Sequence, residues 1–294
     1  MSELLYSRTP ELPNNLYIMK RLFLLLIATM GFALCSRAQS MIVHESTNET
    51  TVYNVSAVDS VTFSDTSLLP EGSVSSTTVE VNGRWCSLGT SITWYNDNVS
   101  FAGGAFTRGY QDRVMDKLHF QKLFNRGVNA GTLSSAYDAI VRADYYTIEY
   151  GINDWGHCVK VGSFEDDYIG QKDNTTFAYQ YRRVIDRIFK VNKSAKVVLC
   201  TPRKAYGFGD YLPAHWYDPM VASDGTKIYL KEYADLIRQI AEYEGFPVAD
   251  WFAECGGQND LSMQSIDVAL HPNDVGYQRM ANVLIQALQK VIVP

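Results

Sequence analysis

The chain has no apolar run long enough to cross a bilayer, no Cys-x-x-Cys or Cys/His spacing of a zinc site, and no glycine-rich phosphate loop. Each absence removes a class of function. The apolar stretch from Leu22 to Leu34 falls short of the ~20 residues a spanning helix needs. Neither a Walker loop nor Gly-x-Gly-x-x-Gly follows the first strand-like run, so the usual sequence devices for holding a nucleotide are missing. No cluster of metal-ligand residues stands out, and the chemistry is expected to need neither metal nor cofactor. Positive charge is also in short supply, with 26 Lys and Arg against 32 Asp and Glu. Setting aside residues 1–38 leaves 22 against 30, a formal charge of −8. Such a surface repels nucleic acid and anionic lipid. What remains is a sequence 46% hydrophobic and 20% charged, the make-up of a globular protein with room for one large core and an appendage.

The beginning of the sequence reads as address rather than structure. Met19-Lys20-Arg21 precedes the apolar run, and Ser36-Arg37-Ala38 supplies small residues where a signal peptidase reads. Residues 19–38 are therefore expected to be a cleaved export signal, residues 1–18 an over-long start, and the mature protein periplasmic or extracellular with no membrane span. Lipid attachment at Cys35 is disfavoured by the bulky Leu34 beside it. Four cysteines remain, Cys86, Cys158, Cys200 and Cys255. Cys86 and Cys200 lie in strand-like runs, where a buried thiol behaves as a small hydrophobe, and all four are expected to be free. From 39 to 78 short β-rich pieces, Met41–His44, Thr51–Val55 and Val61–Phe63, alternate with Ser, Thr, Asn and Asp. They resemble a hairpin-like leader of exported Bacteroidetes proteins, and a Ser/Thr-rich linker follows. The leader is too short to bury a core of its own.

From residue 79 to 294 strand-like apolar runs alternate with helical periodicity. The runs are Trp85–Leu88, Lys122–Asn125, Tyr145–Tyr150, Lys196–Cys200 and Phe246–Asp250. Phe177, Tyr181, Val184, Ile185, Ile188 and Phe189 recur at helical spacing, as do Leu236, Ile237 and Ile240, and then Tyr277, Met280, Ala281, Leu284 and Leu288. The alternation predicts an α/β fold in three layers, a doubly wound parallel sheet with helices on both faces, because parallel neighbours need crossovers. Ligands in such folds bind beyond the carboxyl ends of the strands.

Three segments meet that rule. Ser91, in Gly89-Thr90-Ser91-Ile92-Thr93, follows the first run, where a strand turns into a helix. Asn153, in Gly151-Ile152-Asn153-Asp154, follows the third, and His271, in His271-Pro272-Asn273, precedes the last helix. Acyl transfer from an ester needs a nucleophilic hydroxyl, a base to take its proton and donors for the developing oxyanion. Ser91 fits the nucleophile and His271 the base. The backbone N–H groups of Ser91 and Gly131, with the Asn153 amide, fit the donors. Singly, each residue has an ordinary structural reading as a helix cap, a turn or a packed histidine.

Together these blocks resemble the SGNH (GDSL-type) hydrolase superfamily over roughly residues 80–292. Its blocks read Gly-Asp-Ser, a second block ending in Gly, Gly-x-Asn-Asp, and Asp-x-x-His-Pro. The resemblance implies a flavodoxin-like SGNH hydrolase fold, Ser91 as nucleophile, Ser91, Gly131 and Asn153 as the oxyanion hole, and His271 as base. Two positions depart from the pattern. Thr90 stands where the family has Asp. Val268 stands three residues before His271, while Asp267 lies four before it. Asp267 reaches the imidazole Nδ1 if the loop is bulged by one residue; otherwise a backbone carbonyl must orient the ring.

Trp94 and Tyr95, close after the nucleophile, and Trp155 and His157, close after Asn153, are expected to line the cleft and touch substrate. Aromatic walls suit the apolar face of a sugar ring, and together with an export signal they point toward a glycan or small-molecule ester, with acetyl groups on polysaccharide foremost. One alternative is a lipase or lysophospholipase acting on acyl chains, although no apolar lid or amphipathic membrane-binding stretch is present. Another is a glycan-binding protein that keeps the fold without turnover.

Overall fold

The computed structural model describes residues 40–44, 50–54, 80–102, 105–256 and 270–292. The chain divides into two compact units at Val74–Ser75. The described part of the first unit is one antiparallel pair, β1 (Ser40–His44) and β2 (Thr50–Asn54), with Ile42 opposite Val52. These are two of the three β-rich pieces expected in the leader. The third piece and the export signal lie outside the described residues.

The second unit is the α/β domain. Strands β3 (Arg84–Gly89), β4 (Lys122–Gly127), β5 (Tyr145–Glu149) and β6 (Lys196–Cys200) build a parallel sheet, completed beyond a small antiparallel pair, β7 (Met220–Val221) and β8 (Lys227–Ile228), by β9 (Val248–Ala249). The order across the sheet is β4-β3-β5-β6-β9. Counting only these five strands, that is 2-1-3-4-5, the flavodoxin-like winding. It follows that chain direction across the sheet reverses between β3 and β5, where a crevice opens beyond their carboxyl ends.

Among the described residues, eight α-helical segments accompany the strands. They are α1 (Ser91–Trp94), α2 (Tyr110–Leu118), α3 (Ala136–Ala139), α4 (Ile152–Gly156), α5 (Phe177–Val191), α6 (Leu230–Glu244), α7 (Trp251–Glu254) and α8 (Asp274–Ile292). Alternation along the strands sorts them into two layers. Cys86 and Leu88 of β3, Tyr146 and Ile148 of β5, and Val197 and Leu199 of β6 face α5 and α6, meeting Phe177, Tyr181, Ile185, Ile237 and Ile240. Trp85 of β3 and Val198 and Cys200 of β6 face the other way, packing with Val114 of α2 and Tyr277, Met280 and Leu284 of α8. Both faces of the sheet are covered, which is why its central strands are nearly continuous apolar runs.

Local chemistry sets the ends of the long helices. Thr176 caps α5 by accepting from the Tyr179 N–H at 3.3 Å. Gly245, at φ +72°, closes α6 in the left-handed conformation that glycine tolerates. Asn273 accepts from the Gly276 N–H at 3.1 Å, so α8 begins directly after the His271-Pro272 step. The fifth strand is shorter than its apolar run. Pro247 has no N–H to give the ladder, and Asp250 turns its carboxylate to cap α7 through the Ala253 N–H at 3.1 Å.

Gly127, the last residue of β4, lies against α1. A Cβ there would sit 2.1 Å from the Trp94 backbone nitrogen. Gly127→Ala is expected to lower stability by at least the ~1–3 kcal/mol of an overpacked site. Denaturant titration reads this directly, and an unchanged midpoint would show that β4 and α1 do not abut.

Candidate active site

Ser91 opens α1 immediately after β3, and His271 stands immediately before α8. The two residues, 180 positions apart in the chain, meet in one contact, Ser91 Oγ to His271 Nε2 at 3.1 Å. In this geometry Nε2 can accept the serine proton only if Nδ1 carries the ring's own hydrogen. The two helices are joined below the contact. The Tyr277 hydroxyl of α8 donates to the Ile92 carbonyl of α1 at 3.0 Å. Asp274, the first residue of α8, pairs with Arg113 of α2 and accepts from the Thr107 N–H at 3.2 Å. Arg203, buried just past β6, donates through Nη1 to the Leu270 carbonyl at 3.3 Å and so holds the residue before His271. Asp267, the expected partner of Nδ1, lies outside the described residues.

The turn that carries Ser91 is held from beneath by Glu149, the last residue of β5. Its carboxylate is buried and accepts from the Thr90 N–H at 2.8 Å, the Thr90 hydroxyl at 2.9 Å and the Thr93 hydroxyl at 3.0 Å. Thr90 also caps α1, its Oγ1 accepting from the Ile92 N–H at 3.3 Å. This accounts for threonine where the family pattern has Asp. A second carboxylate at 90 would face that of Glu149 in a buried space, and like charges so close cannot both ionise. Gly89 is fixed by the same cluster, since a Cβ there would lie 2.0 Å from Thr93 Oγ1 and 2.6 Å from Glu149 Oε2.

The cluster extends across the sheet as one directed chain. The Trp85 indole N–H donates to Thr147 Oγ1 at 3.0 Å, and Thr147 donates to Ser87 Oγ at 3.3 Å. Ser87 meets the Tyr110 hydroxyl at 2.9 Å, which meets Thr93 Oγ1 at 2.8 Å. An indole can only donate and a carboxylate only accept. The four hydroxyls between them must therefore all point the same way, toward Glu149. Burial pushes the Glu149 carboxyl up to about 7, against the pull of its donors.

A second buried carboxylate holds the oxyanion side. Asp154 accepts from the Leu133 N–H at 3.0 Å and the Gly151 N–H at 3.1 Å, tying the loop after β4 to the loop after β5. Burial raises its pKa to about 7 as well. The Asn153 amide is oriented from both ends. Its Nδ2 donates to the Gly131 carbonyl at 2.9 Å, and its Oδ1 accepts from the Tyr211 hydroxyl at 3.1 Å. One Nδ2 hydrogen is left for a ligand. The Ser91 N–H, as the first of a helix, has no intrahelical acceptor. Gly131 departs from expectation: its N–H is spent on the Val128 carbonyl at 2.9 Å, so its part in the resting site is to hold Asn153 through its carbonyl.

The expected aromatic wall is partly there. Tyr95 packs edge-on to His271 at 5.1 Å between ring centres, and Trp94 touches Tyr95 at 5.3 Å. His157 is exposed and lies edge-on to Tyr211 at 5.3 Å. Trp155 is a correction. It is wholly buried, its indole donating to the Ile228 carbonyl at 2.9 Å, because α4 turns that face into the core. Phe208, which sequence reasoning missed, is a second ring against His271, at 6.0 Å. Glu149, Arg203, Tyr211 and Phe208 sit in segments without a motif; only a charged residue ending an apolar strand could have drawn attention to Glu149. The four expected free cysteines are free, and no group of metal-ligating residues occurs among the described residues. None of the described helices is long and apolar enough to cross a membrane.

Comparison with known proteins places these features in a family. Residues 87–279, well over half of the chain, match the GDSL-like lipase/acylhydrolase family. Among solved structures, a possible lipase from Chitinophaga pinensis is similar at 23% identity, covering 71% of this chain and 98% of that one with a TM-score of 0.57. A protein from Lactobacillus plantarum is similar at 22% identity, covering 72% and 98%, also with a TM-score of 0.57. Both show the same fold. No curated protein matches the chain.

The two buried carboxylates make stability depend on pH in a defined direction. Both pKa values are raised in the folded state, so the folded protein holds protons that the unfolded chain has released. Their contribution is complete below the ordinary carboxylate range and is lost as pH rises through about 7. Denaturation midpoints are expected to fall between pH 4.5 and 7.5, and Glu149→Gln to flatten that slope while lowering the midpoint overall. A slope unchanged in Glu149→Gln would show that Glu149 does not titrate there.

Proposed function

The chain belongs to the GDSL-like lipase/acylhydrolase family and is an ester-bond hydrolase, and from that premise we propose that it is a serine esterase removing acetyl groups from carbohydrate through an acyl-enzyme. The observation that carries the mechanism is the 3.1 Å contact between Ser91 Oγ and His271 Nε2. His271 takes the Ser91 proton as Oγ attacks the ester carbonyl, and the resulting oxyanion is met by the Ser91 N–H and the Asn153 amide. The intermediate collapses, the C–O bond to the sugar breaks, and His271 returns its proton to the departing hydroxyl. A water then loses a proton to His271 and attacks the acyl-enzyme. Acetate leaves, and Ser91 recovers its hydrogen.

The carbohydrate part of the reading is supported by the rings of Tyr95 and Phe208, both in contact with His271, since aromatic faces suit the C–H faces of a sugar. An apolar signal at residues 19–38 is consistent with export to where such polymers are met.

Two variants test the mechanism. Ser91→Ala and His271→Ala are each expected to cut hydrolysis of an aryl acetate by roughly a thousandfold or more. Full activity in Ser91→Ala would end it. The substrate class is tested by assaying acetate release from acetylated xylan beside hydrolysis of long-chain aryl esters. Preference for the long chains would favour a lipase, and binding of xylan without acetate release would favour a non-catalytic glycan-binding role.

A further inference from the structure

Seven aromatic rings touch one another in an unbroken succession through the site. Phe101 meets Trp94 at 5.3 Å, Trp94 meets Tyr95 at 5.3 Å, and Tyr95 meets His271 at 5.1 Å. His271 also meets Phe208 at 6.0 Å, Phe208 meets Tyr211 at 6.4 Å, and Tyr211 meets His157 at 5.3 Å. His271 is the ring common to both series, each of which adds three more.

The two series come from separate parts of the chain. Phe101, Trp94 and Tyr95 follow the nucleophile. Phe208 and Tyr211 belong to the segment between β6 and β7, and His157 follows α4. Phe101, at the end of its series, is 71% exposed, and Phe208, against His271, is 38% exposed. Phe101 is the most exposed large apolar side chain among the described residues, and the contacts that start from it lead to His271.

We infer that this belt is an extended glycan-binding cleft, with Phe101 as an outer subsite that engages a sugar ring other than the one bearing the scissile ester, so that the preferred substrate is a neutral acetylated polysaccharide rather than a small ester. The inference rests on the carbohydrate reading above and extends it to chain length and charge. Phe101 makes no ring contact with His271; Trp94 and Tyr95 stand between them. A sugar stacked on Phe101 is therefore displaced along the polymer from the one being deacetylated.

Ring type and charge narrow the ligand. Every member of the belt is aromatic, and the rings meet at steep angles, as a succession of partly open faces. An acyl chain is better served by an enclosed aliphatic slot, whereas C–H faces of successive sugars fit separate aromatic faces. Asp97 lies between Tyr95 and Phe101 in the chain and Asp210 between Phe208 and Tyr211, both exposed, and the whole chain carries a formal charge of −6. Such a cleft repels uronate-rich polymers.

Phe101→Ala separates this inference from the reading it rests on. The side chain is exposed and outside the Ser91, Asn153 and His271 cluster, so hydrolysis of an aryl acetate is expected to be unchanged. On polymeric acetylated xylan KM is expected to rise about three- to tenfold, with kcat little altered, the effect of one lost ring contact of ~0.5–1.5 kcal/mol. Phe101→Trp is expected to restore the polymer KM. If the wild-type enzyme deacetylates xylan and Phe101→Ala leaves its KM unchanged, the outer subsite is refuted while the carbohydrate reading stands. If the wild-type enzyme releases no acetate from any acetylated saccharide but cleaves the aryl ester, the carbohydrate reading falls and the cleft with it. Equal kcat/KM on acetylated pectin and acetylated xylan would overturn the preference for a neutral chain.

Discussion

Two buried carboxylates, Glu149 and Asp154, hold the loops of the site in place, with no cation paired to either among the described residues. Glu149 spends its oxygens on the Thr90 N–H and the Thr90 and Thr93 hydroxyls, and Asp154 on the N–H groups of Leu133 and Gly151. Charge left unpaired in a low-dielectric space is tolerated only when its hydrogen bonds are complete. That condition makes them effective anchors, because any drift of the Ser91 turn or of the Leu133 loop would strip donors from a buried anion. Fixing the donors before substrate arrives is what an oxyanion site requires, since reorganisation during reaction would weaken it.

The histidine has to be delivered to this frame from the other end of the chain. Three contacts do so, from three elements: Tyr277 to the Ile92 carbonyl, Arg113 to Asp274, and Arg203 to the Leu270 carbonyl. They bracket His271 on both sides in sequence and bind α8 to the helix that begins with Ser91. The contact between Ser91 and His271 is thus a consequence of how α8 packs against α1 and α2.

The same arrangement decides which aromatic residues face a ligand. Trp94 and Trp155 occupy similar places in sequence, just beyond Ser91 and just beyond Asn153. Trp94 is half-buried beside Phe101, while Trp155 is sealed in the core by its bond to the Ile228 carbonyl. Proximity to a motif says that a residue is near the site, and helix phase says which way it points.

The sequence by itself determined the layered fold and singled out Ser91 and His271, whose side chains the structure brings into contact. Strand and helix periodicities are local properties, and the five apolar runs became the five parallel strands in the expected alternation. The motif blocks named Ser91, Asn153 and His271 because a turn at the end of a strand is encoded by adjacent residues. Only the tertiary structure decided what supports them. The three donors to Glu149 lie 56 and 59 residues from it along the chain, and Tyr211 lies 58 from Asn153, so no window of sequence contains such a pair. It was also the tertiary structure that turned the Gly131 N–H to Val128, set Phe208 beside His271 and explained Thr90, because each of these depends on which atoms a neighbouring strand or loop brings within hydrogen-bonding or packing distance.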